Sequence, residues 1–227
     1  ELLNIVIVGG GATGIEVAGI LSEMKKFVLP NDYPDMPSSL MHIYLIEAGP
    51  RLLAGMSEES SAHAEQFLRE MGVNILLNKR VVDYRDHKVV LEDGTEIATR
   101  TFIWVSGVTG VTIGNLDASL IGRGGRIKVD SFNRVEGMNN VFAIGDQCIQ
   151  VADEDYPNGH PQLAQVAIQQ GELLAKNLVR MEKGREMKPF HYRNLGSMAT
   201  VGRNRAVAEF SNCLLYTSPS PRDAHES

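Results

Sequence analysis

The sequence predicts an α/β fold built around a buried parallel sheet, and three observations carry that expectation. Residues 4–8, Asn-Ile-Val-Ile-Val, form the short β-branched run that a strand buried on both faces needs. Three glycines follow at once, and after them apolar residues recur at helical spacing. Comparable apolar runs return at Met41–Ile46, Val73–Leu77 and Thr101–Val105.

In the first helix Ile15, Val17, Ala18, Ile20 and Leu21 mark the periodic face, with an end expected at Met24-Lys25-Lys26. Pro30, Pro34 and Pro37 then predict a loop before the strand at 41–46. From Ser57 to Met71, the positions Ala62, Ala64, Phe67, Leu68 and Met71 predict a second helix, closed by Gly72. Val81–Tyr84, Lys88–Leu91 and Thr95–Ile97 are short and alternating, with a turn at Asp93-Gly94, and so predict an antiparallel meander. The strand at 101–105 ends in Ser106-Gly107 and completes a Rossmann-like domain with a β insertion over residues 1–108.

A second segment is expected over 109–182. Arg126–Val129 and Val141–Ile144 read as strands, the latter ending in Gly145-Asp146, and Pro161 stands where a first helical position is expected, opening a helix to about Met181. Residues 183–212 form a third segment, in which Gly196–Phe210 alternates small and apolar residues and predicts the start of a carboxyl-terminal β element. Cys213 to Asp223, CLLYTSPSPRD, matches one reading frame of a common transposon-based sequencing-library adapter, so 213–227 is set apart as non-native; a Ser/Pro-rich linker is the other reading. The start at Glu1, without an initiator Met and almost inside a strand, leads us to expect an upstream segment.

Composition narrows the function classes. A net charge of -6, with Lys and Arg scattered, gives no footprint for nucleic acid. Two cysteines, Cys148 and Cys213, build neither a disulfide framework nor a CxxC pair nor a thiolate metal site, and a reducing cytoplasm fits them best. With no run of eighteen apolar residues and no basic, then apolar, opening, neither a membrane span nor a signal peptide is expected in the chain, and any membrane contact is peripheral.

Two motifs carry chemistry. Gly9-Gly10-Gly11-Ala12-Thr13-Gly14 matches G-x-G-x-x-G between a strand and a helix, the context of a dinucleotide fingerprint. Gly9 permits the tight turn, Gly11 lets backbone approach a pyrophosphate, and Gly14 allows close helix packing, while the helix start offers free N–H groups. Glu47 closes the second strand, where a carboxylate accepts hydrogen bonds from ribose hydroxyls and repels a 2′-phosphate, favouring NADH; nearby Arg51 is the rival, a receiver for a 2′-phosphate. The second motif is Asn139–Asp146, in which Gly145-Asp146 would end a strand where ligands bind in α/β folds; a capping aspartate is the plainer reading.

The tract NNVFAIGD resembles the second flavin motif of the two-dinucleotide-binding-domain flavoprotein reductases, which implies that Asp146 accepts a hydrogen bond from the flavin ribityl chain. Together VGGGATGIEVAG, LIEAGPRLL, FIWVSGV, AIGDQC and PQLAQVAIQQG resemble the type II NADH:quinone oxidoreductases, non-pumping single-subunit NADH dehydrogenases, over residues 3 to about 210. The resemblance implies hydride transfer from NADH to FAD and electron transfer on to a quinone. It makes 4–107 an NADH domain inserted into a flavin domain whose first part precedes residue 1, so that the chain alone is expected to bind FAD weakly or not at all. Implied cofactor-binding residues are Gly9, Gly11, Thr13, Gly14, Glu47, Gly107, Gly145, Asp146 and Ala164. Glu16 resembles a glutamate near the nicotinamide and flavin rings, against a plain helix-face carboxylate; Gln165 and Gln169 resemble an AQxxxQ pair lining a quinone site, against solvated glutamines. The helix after Pro161 would direct its amino terminus at the flavin. Peripheral attachment on the cytoplasmic side of the inner membrane, through a carboxyl-terminal region beyond the native part of this chain, and a possible homodimer complete the expectation. Rivals are disulfide or sulfide:quinone reductases, although Cys148 reads as structural, and an NADH-binding flavoprotein that serves interaction.

Overall fold

The computed structural model describes residues 3–111 and 113–210, and the backbone of 213–215. These residues form two compact units: one takes in the described parts of Glu1–Gly107 and Gly196–Ser227, the other those of Val108–Leu195.

In the first unit β1 (Ile5–Val8) runs parallel to β2 (Ile43–Ile46), with Ile5 opposite Ile43 and Val8 opposite Ile46. β3 (Val73–Leu76) follows β2, the meander strands β4 (Val81–Arg85), β5 (Lys88–Leu91) and β6 (Glu96–Ala98) come next, and β7 (Thr101–Trp104) returns beside β1. The parallel sheet has the order β3-β2-β1-β7. Alternation along β1 explains its unbroken apolar run: Ile5 and Ile7 join a core with Ile43, Leu45, Val73 and Ile75, whereas Val6 and Val8 face Ile46, Val89 and Leu91 beneath the meander. The helices α1 (Ala12–Glu23) and α3 (Glu58–Glu70) supply Ile15, Ala18, Ala64 and Leu68 to the first of these cores. Ser57 caps α3 by accepting a bond from Ser60 N at 3.1 Å, and Gly72, at φ +84°, closes it.

In the first unit a helix boundary differs from expectation. The helix does not stop at Met24-Lys25-Lys26: Met24–Val28 forms a π-turn and α2 (Leu29–Asp32) continues past Pro30. Proline has a helix-compatible φ and lacks only the donor, and the wide turn, in which Leu29 N bonds Met24 O, reroutes the ladder just ahead of it.

The second unit has few regular elements. β8 (Ile127–Val129) pairs in parallel with β9 (Cys148–Gln150), and α4 (Ala164–Glu182) is its long helix. Val141–Ile144 is not a strand; Arg134 and Phe142 form a single bridge, and Val141 and Ile144 are exposed. The regular strand comes after Gly145-Asp146 rather than before it. Pro161 is not the first helical residue either: the helix begins at Ala164 behind an extended Leu163, because Pro161 O already accepts Leu163 N in a tight turn.

The chain then returns to the first unit as a hairpin, β10 (Ser197–Thr200) and β11 (Ala206–Phe210), which agrees with the alternation read over 196–210. Ala199, Val201 and Val207 enter the α1/α3 core. Gly19 is required there, since a Cβ would stand 2.5 Å from Gly202 N. β12 (Cys213–Leu215) pairs with β11 through main-chain groups, a demand that any sequence can meet, and the rest of the presumed adapter lies outside the described residues.

Candidate dinucleotide and flavin site

The glycine loop, Glu47 and Ser106-Gly107 follow the carboxyl ends of β1, β2 and β7, so the sheet edge gathers them. Gly9 has φ +118°, and a Cβ on it would meet Ser106 N at 3.0 Å. A Cβ on Gly14 would fall 1.8 Å from Gly9 O, so only glycine lets α1 start this close to β1. Around Gly11 and Gly107 a Cβ would find nothing within 4 Å. No side chain caps α1 at Gly11, no acid occupies its first turn, and Gly11, Ala12 and Thr13 are exposed. This combination suits a diphosphate: open space, free N–H donors and no competing carboxylate.

Glu47 is half-buried and already holds the loop. Its Oε2 accepts Gly10 N at 2.7 Å and its Oε1 accepts Gly49 N at 2.6 Å. Arg51 faces away from any such role, donating to the carbonyls of Met56 at 2.7 Å and Ala54 at 3.0 Å. Glu16, in the second turn of α1, lies against the hairpin, where Oε1 accepts Thr200 N at 3.4 Å.

The second unit brings another set together. Gly145, at φ +63°, packs under α4, where a Cβ would approach Ala167 Cβ to 3.1 Å. Asp146 is exposed, and its main-chain O accepts Gln162 Nε2 at 3.3 Å. No side chain caps α4 either, and Ala164 at its start is exposed. Gln165 and Gln169 do share one helix face, but they bond main chain: Gln165 Oε1 accepts Leu195 N at 3.1 Å, and Gln169 donates to Arg193 O at 2.9 Å and accepts Arg193 N at 3.1 Å.

The pyridine nucleotide-disulphide oxidoreductase profile matches residues 2–171. The chain belongs to that family. It is 34% identical over 220 residues to the type II NADH:quinone oxidoreductase NdhA of Mycobacterium tuberculosis, covering 91% of this chain and 45% of the relative. To the type II NADH:quinone oxidoreductase of Haemophilus influenzae it is 31% identical, covering 92% of this chain and 47% of the relative. The chain thus spans about half the length of the curated relatives it matches. In fold it is similar to NDH2 from Plasmodium falciparum, solved in complex with NADH, with a TM-score of 0.82 at 19% identity over 96% of this chain and 59% of that one.

Membership in a family named for disulphide chemistry directs attention to Cys148. It is 1% exposed, and burial pushes its thiol above the ordinary range, as suits a packing residue rather than a nucleophile. The residue that sequence reasoning missed is its neighbour Gln170. Its Oε1 accepts Gly145 N at 2.6 Å and lies 3.7 Å from Cys148 Sγ. Only the run Gln169-Gln170 pointed to it, and nothing in the pattern says which glutamine turns inward. Asp153 and His160 were missed as well: they form a buried pair, His160 Nε2 to Asp153 Oδ2, at 3.0 Å. Burial alone would raise the Asp153 carboxyl, but hydrogen bonds from His160, Tyr192 N and Asp155 N outweigh it and hold the carboxyl below the usual range.

Proposed function

We propose that the chain is the nucleotide-handling part of an enzyme that oxidises NADH and passes two electrons through FAD to a quinone, without pumping protons. The observation that carries this is the uncapped, open start of α1 beside a carboxylate at the end of β2. The relatives' names support the choice of quinone as acceptor. Bound flavin supplies the hydride acceptor and electron donor of the reaction. The loop Gly9, Gly11, Thr13 and Gly14 holds the NADH diphosphate on main-chain N–H groups, Glu47 takes the adenine ribose, and Gly107 leaves room at the sheet edge. Glu16 lies toward the nicotinamide, two residues beyond that loop in the second turn of α1.

In the second unit Gly145 and Asp146 take the flavin ribityl chain, while Ala164 and the free N–H groups opening α4 offset negative charge on the reduced ring. Gln165 and Gln169 present amides toward the quinone. Peripheral attachment to the cytoplasmic face of the inner membrane, and a homodimer, belong to the same reading. No described helix is long and apolar enough to cross a membrane.

The test is steady-state oxidation of NADH and of NADPH by the full-length protein with a soluble quinone analogue. Quinone-dependent turnover is expected, with NADH preferred. Glu47→Gln removes the charge that repels a 2′-phosphate and narrows the kcat/KM ratio between the two cofactors; an unchanged ratio removes Glu47 from the ribose, and absence of quinone turnover removes the activity.

A further inference from the structure

A carboxylate and an arginine stand four residues apart after β2, and the sequence leaves the arginine as a rival receiver for a 2′-phosphate. Its hydrogen bonds give it other work. Arg51 Nη1 donates to Met56 O at 2.7 Å, Ser57 O at 3.3 Å and Leu53 O at 3.5 Å, and Nη2 to Ala54 O at 3.0 Å. One planar cation thus gathers the carbonyls of a whole loop, a geometry that suits guanidinium and not ammonium.

The loop it gathers grips the glycine turn. Leu53 is held at φ +47°, a conformation that a branched residue rarely adopts, and from there its N–H donates to Gly10 O at 2.8 Å. Gly10 N is held by Glu47, so both main-chain groups of Gly10 are fixed by residues 47–53. At its far end the loop is tied down by Ser57, whose N–H donates to Glu209 Oε1 at 2.8 Å on β11. Burial alone would raise the Glu209 carboxyl, yet hydrogen bonding by Ser57, the neighbouring Ser60 hydroxyl and the charge of Arg51 hold it below the usual carboxylate range.

We propose that Arg51 and Glu209 are positioning residues for the dinucleotide, locking the 47–57 loop that sets Gly10, and that Arg51 does not read a 2′-phosphate. The inference rests on the reading of Gly9–Gly14 as a nucleotide site. To reach a phosphate, the Arg51 guanidinium would have to leave four carbonyls and free Leu53 from its left-handed conformation. The fixed turn then sets where the N–H groups that open α1 point.

Calorimetric affinities of the full-length protein for ADP-ribose and 2′-phospho-ADP-ribose test this without any redox chemistry. Arg51→Met and Arg51→Lys should each weaken ADP-ribose by about tenfold and leave the ratio of the two ligands unchanged. Lysine fails to rescue because a single ammonium cannot span the loop. Glu209→Gln keeps an acceptor but loses the charge, and should weaken ADP-ribose about threefold with the same unchanged ratio. Selective loss of the 2′-phospho ligand in the Arg51 variants would make Arg51 a phosphate reader and overturn the inference. A lowered melting temperature with unaltered affinity would overturn it too, leaving the network a feature of folding alone. If Arg51→Lys does not fold, unaltered affinity in Glu209→Gln is enough to sink it. A wild-type protein that binds neither ligand removes the nucleotide reading itself, a failure distinct from these.

Discussion

The two units are held together by different kinds of bond, and the difference decides what each tolerates. In the first, a four-stranded parallel sheet satisfies its main chain by itself and packing sets the body around it, outside the 47–57 loop that Glu47, Arg51 and Glu209 hold: Ile7, Ile15, Leu45 and Leu68 are fully buried. In the second, side chains do much of what a sheet would do. Asn177 both donates to Lys188 O, at 2.8 Å, and accepts Lys188 N, at 2.9 Å, while Gln169 does the same for Arg193. Tyr192 N goes to Asp153, Leu195 N to Gln165 and Gly145 N to Gln170. A segment without a strand partner is thus paired against amides on α4. The first unit should therefore be sensitive to volume and the second to the loss of single hydrogen-bonding groups.

The sharpest way to break the first unit is Gly14→Val. With Gly9 O only 1.8 Å from the first added carbon, neither α1 nor β1 can yield without opening the core, and a cost of roughly 3 kcal/mol or more is expected. Chemical denaturation should show the loss directly, and NADH affinity should fall with it. A Gly14→Val protein of wild-type stability would mean that α1 starts farther from β1 than described.

In the second unit the counterpart is Gln170→Leu, which keeps volume and removes an acceptor. It leaves Gly145 N–H without its partner in a buried setting, a loss of roughly 1–3 kcal/mol. Flavin retention should fall as well, because Gly145 precedes Asp146. Cys148→Ala, which removes a buried thiol and only its weak bond to Gly145 O at 3.5 Å, should leave flavin reduction by NADH intact. Loss of that half-reaction in Cys148→Ala would restore thiol chemistry as a rival reading.

This contrast also explains which parts of the molecule were legible in the sequence. Residues 4–8 and 41–46 appear as β1 and β2 because burial on both faces writes itself as an apolar run, while 73–77 and 101–105 appear as β3 and β7 with part of their surface exposed. The meander follows from alternation and turn chemistry in the same way, and the helix read from Ser57 starts at Glu58, with Ser57 as its cap. The structural demand on Gly14 was legible because the spacing of a turn leaves no other solution. Where the chain is held by side chains, periodicity has nothing to report. The run Val141–Ile144 is apolar enough for a strand, yet its main chain bonds Asn133 and Val135 singly. Pro30 misled in the opposite direction, since a π-turn absorbs a proline that pattern reading takes for a stop. Neither Gln170 nor the Asp153–His160 pair has a signature beyond its residue type.

Acid should test the buried Asp153–His160 pair of the second unit. Because the Asp153 carboxyl is held below the range of an unfolded aspartate, its contribution is fully present above the ordinary carboxylate value and is lost as pH falls through the lowered one. Asp153→Asn should remove that part of the acid dependence while lowering stability near neutrality, since the amide accepts His160 Nε2–H but carries no charge. The effect should be smaller than that of Gln170→Leu. An unchanged acid limb in the variant would show that other carboxylates, such as Glu209, set it.

The smallest effects belong to the glutamine pair, and they discriminate most finely. If Gln165 and Gln169 serve a quinone, each does so while bonded to main chain, because the amide of Gln169 is engaged at both ends by Arg193 and Gln165 Oε1 by Leu195 N, and the two N–H donors of an amide allow one for a quinone carbonyl. Replacement by alanine then has two consequences: an N–H donor to the quinone carbonyl is lost, and residues 193–195 are released from α4. Losing one hydrogen bond costs about 0.5–1.5 kcal/mol, so re-oxidation of flavin by a quinone analogue should slow two- to tenfold in either variant. Reduction of flavin by NADH should stay near the wild-type rate. Gln169→Glu separates the roles, since it keeps an acceptor for Arg193 N but loses the donor to Arg193 O. If quinone reduction survives in Gln169→Ala while hydrogen exchange at residues 190–195 accelerates, Gln169 is a strap for that segment and Gln165 alone remains for the quinone. Equal slowing of both half-reactions would assign the pair to placing α4 and the Gly145-Asp146 turn beneath it.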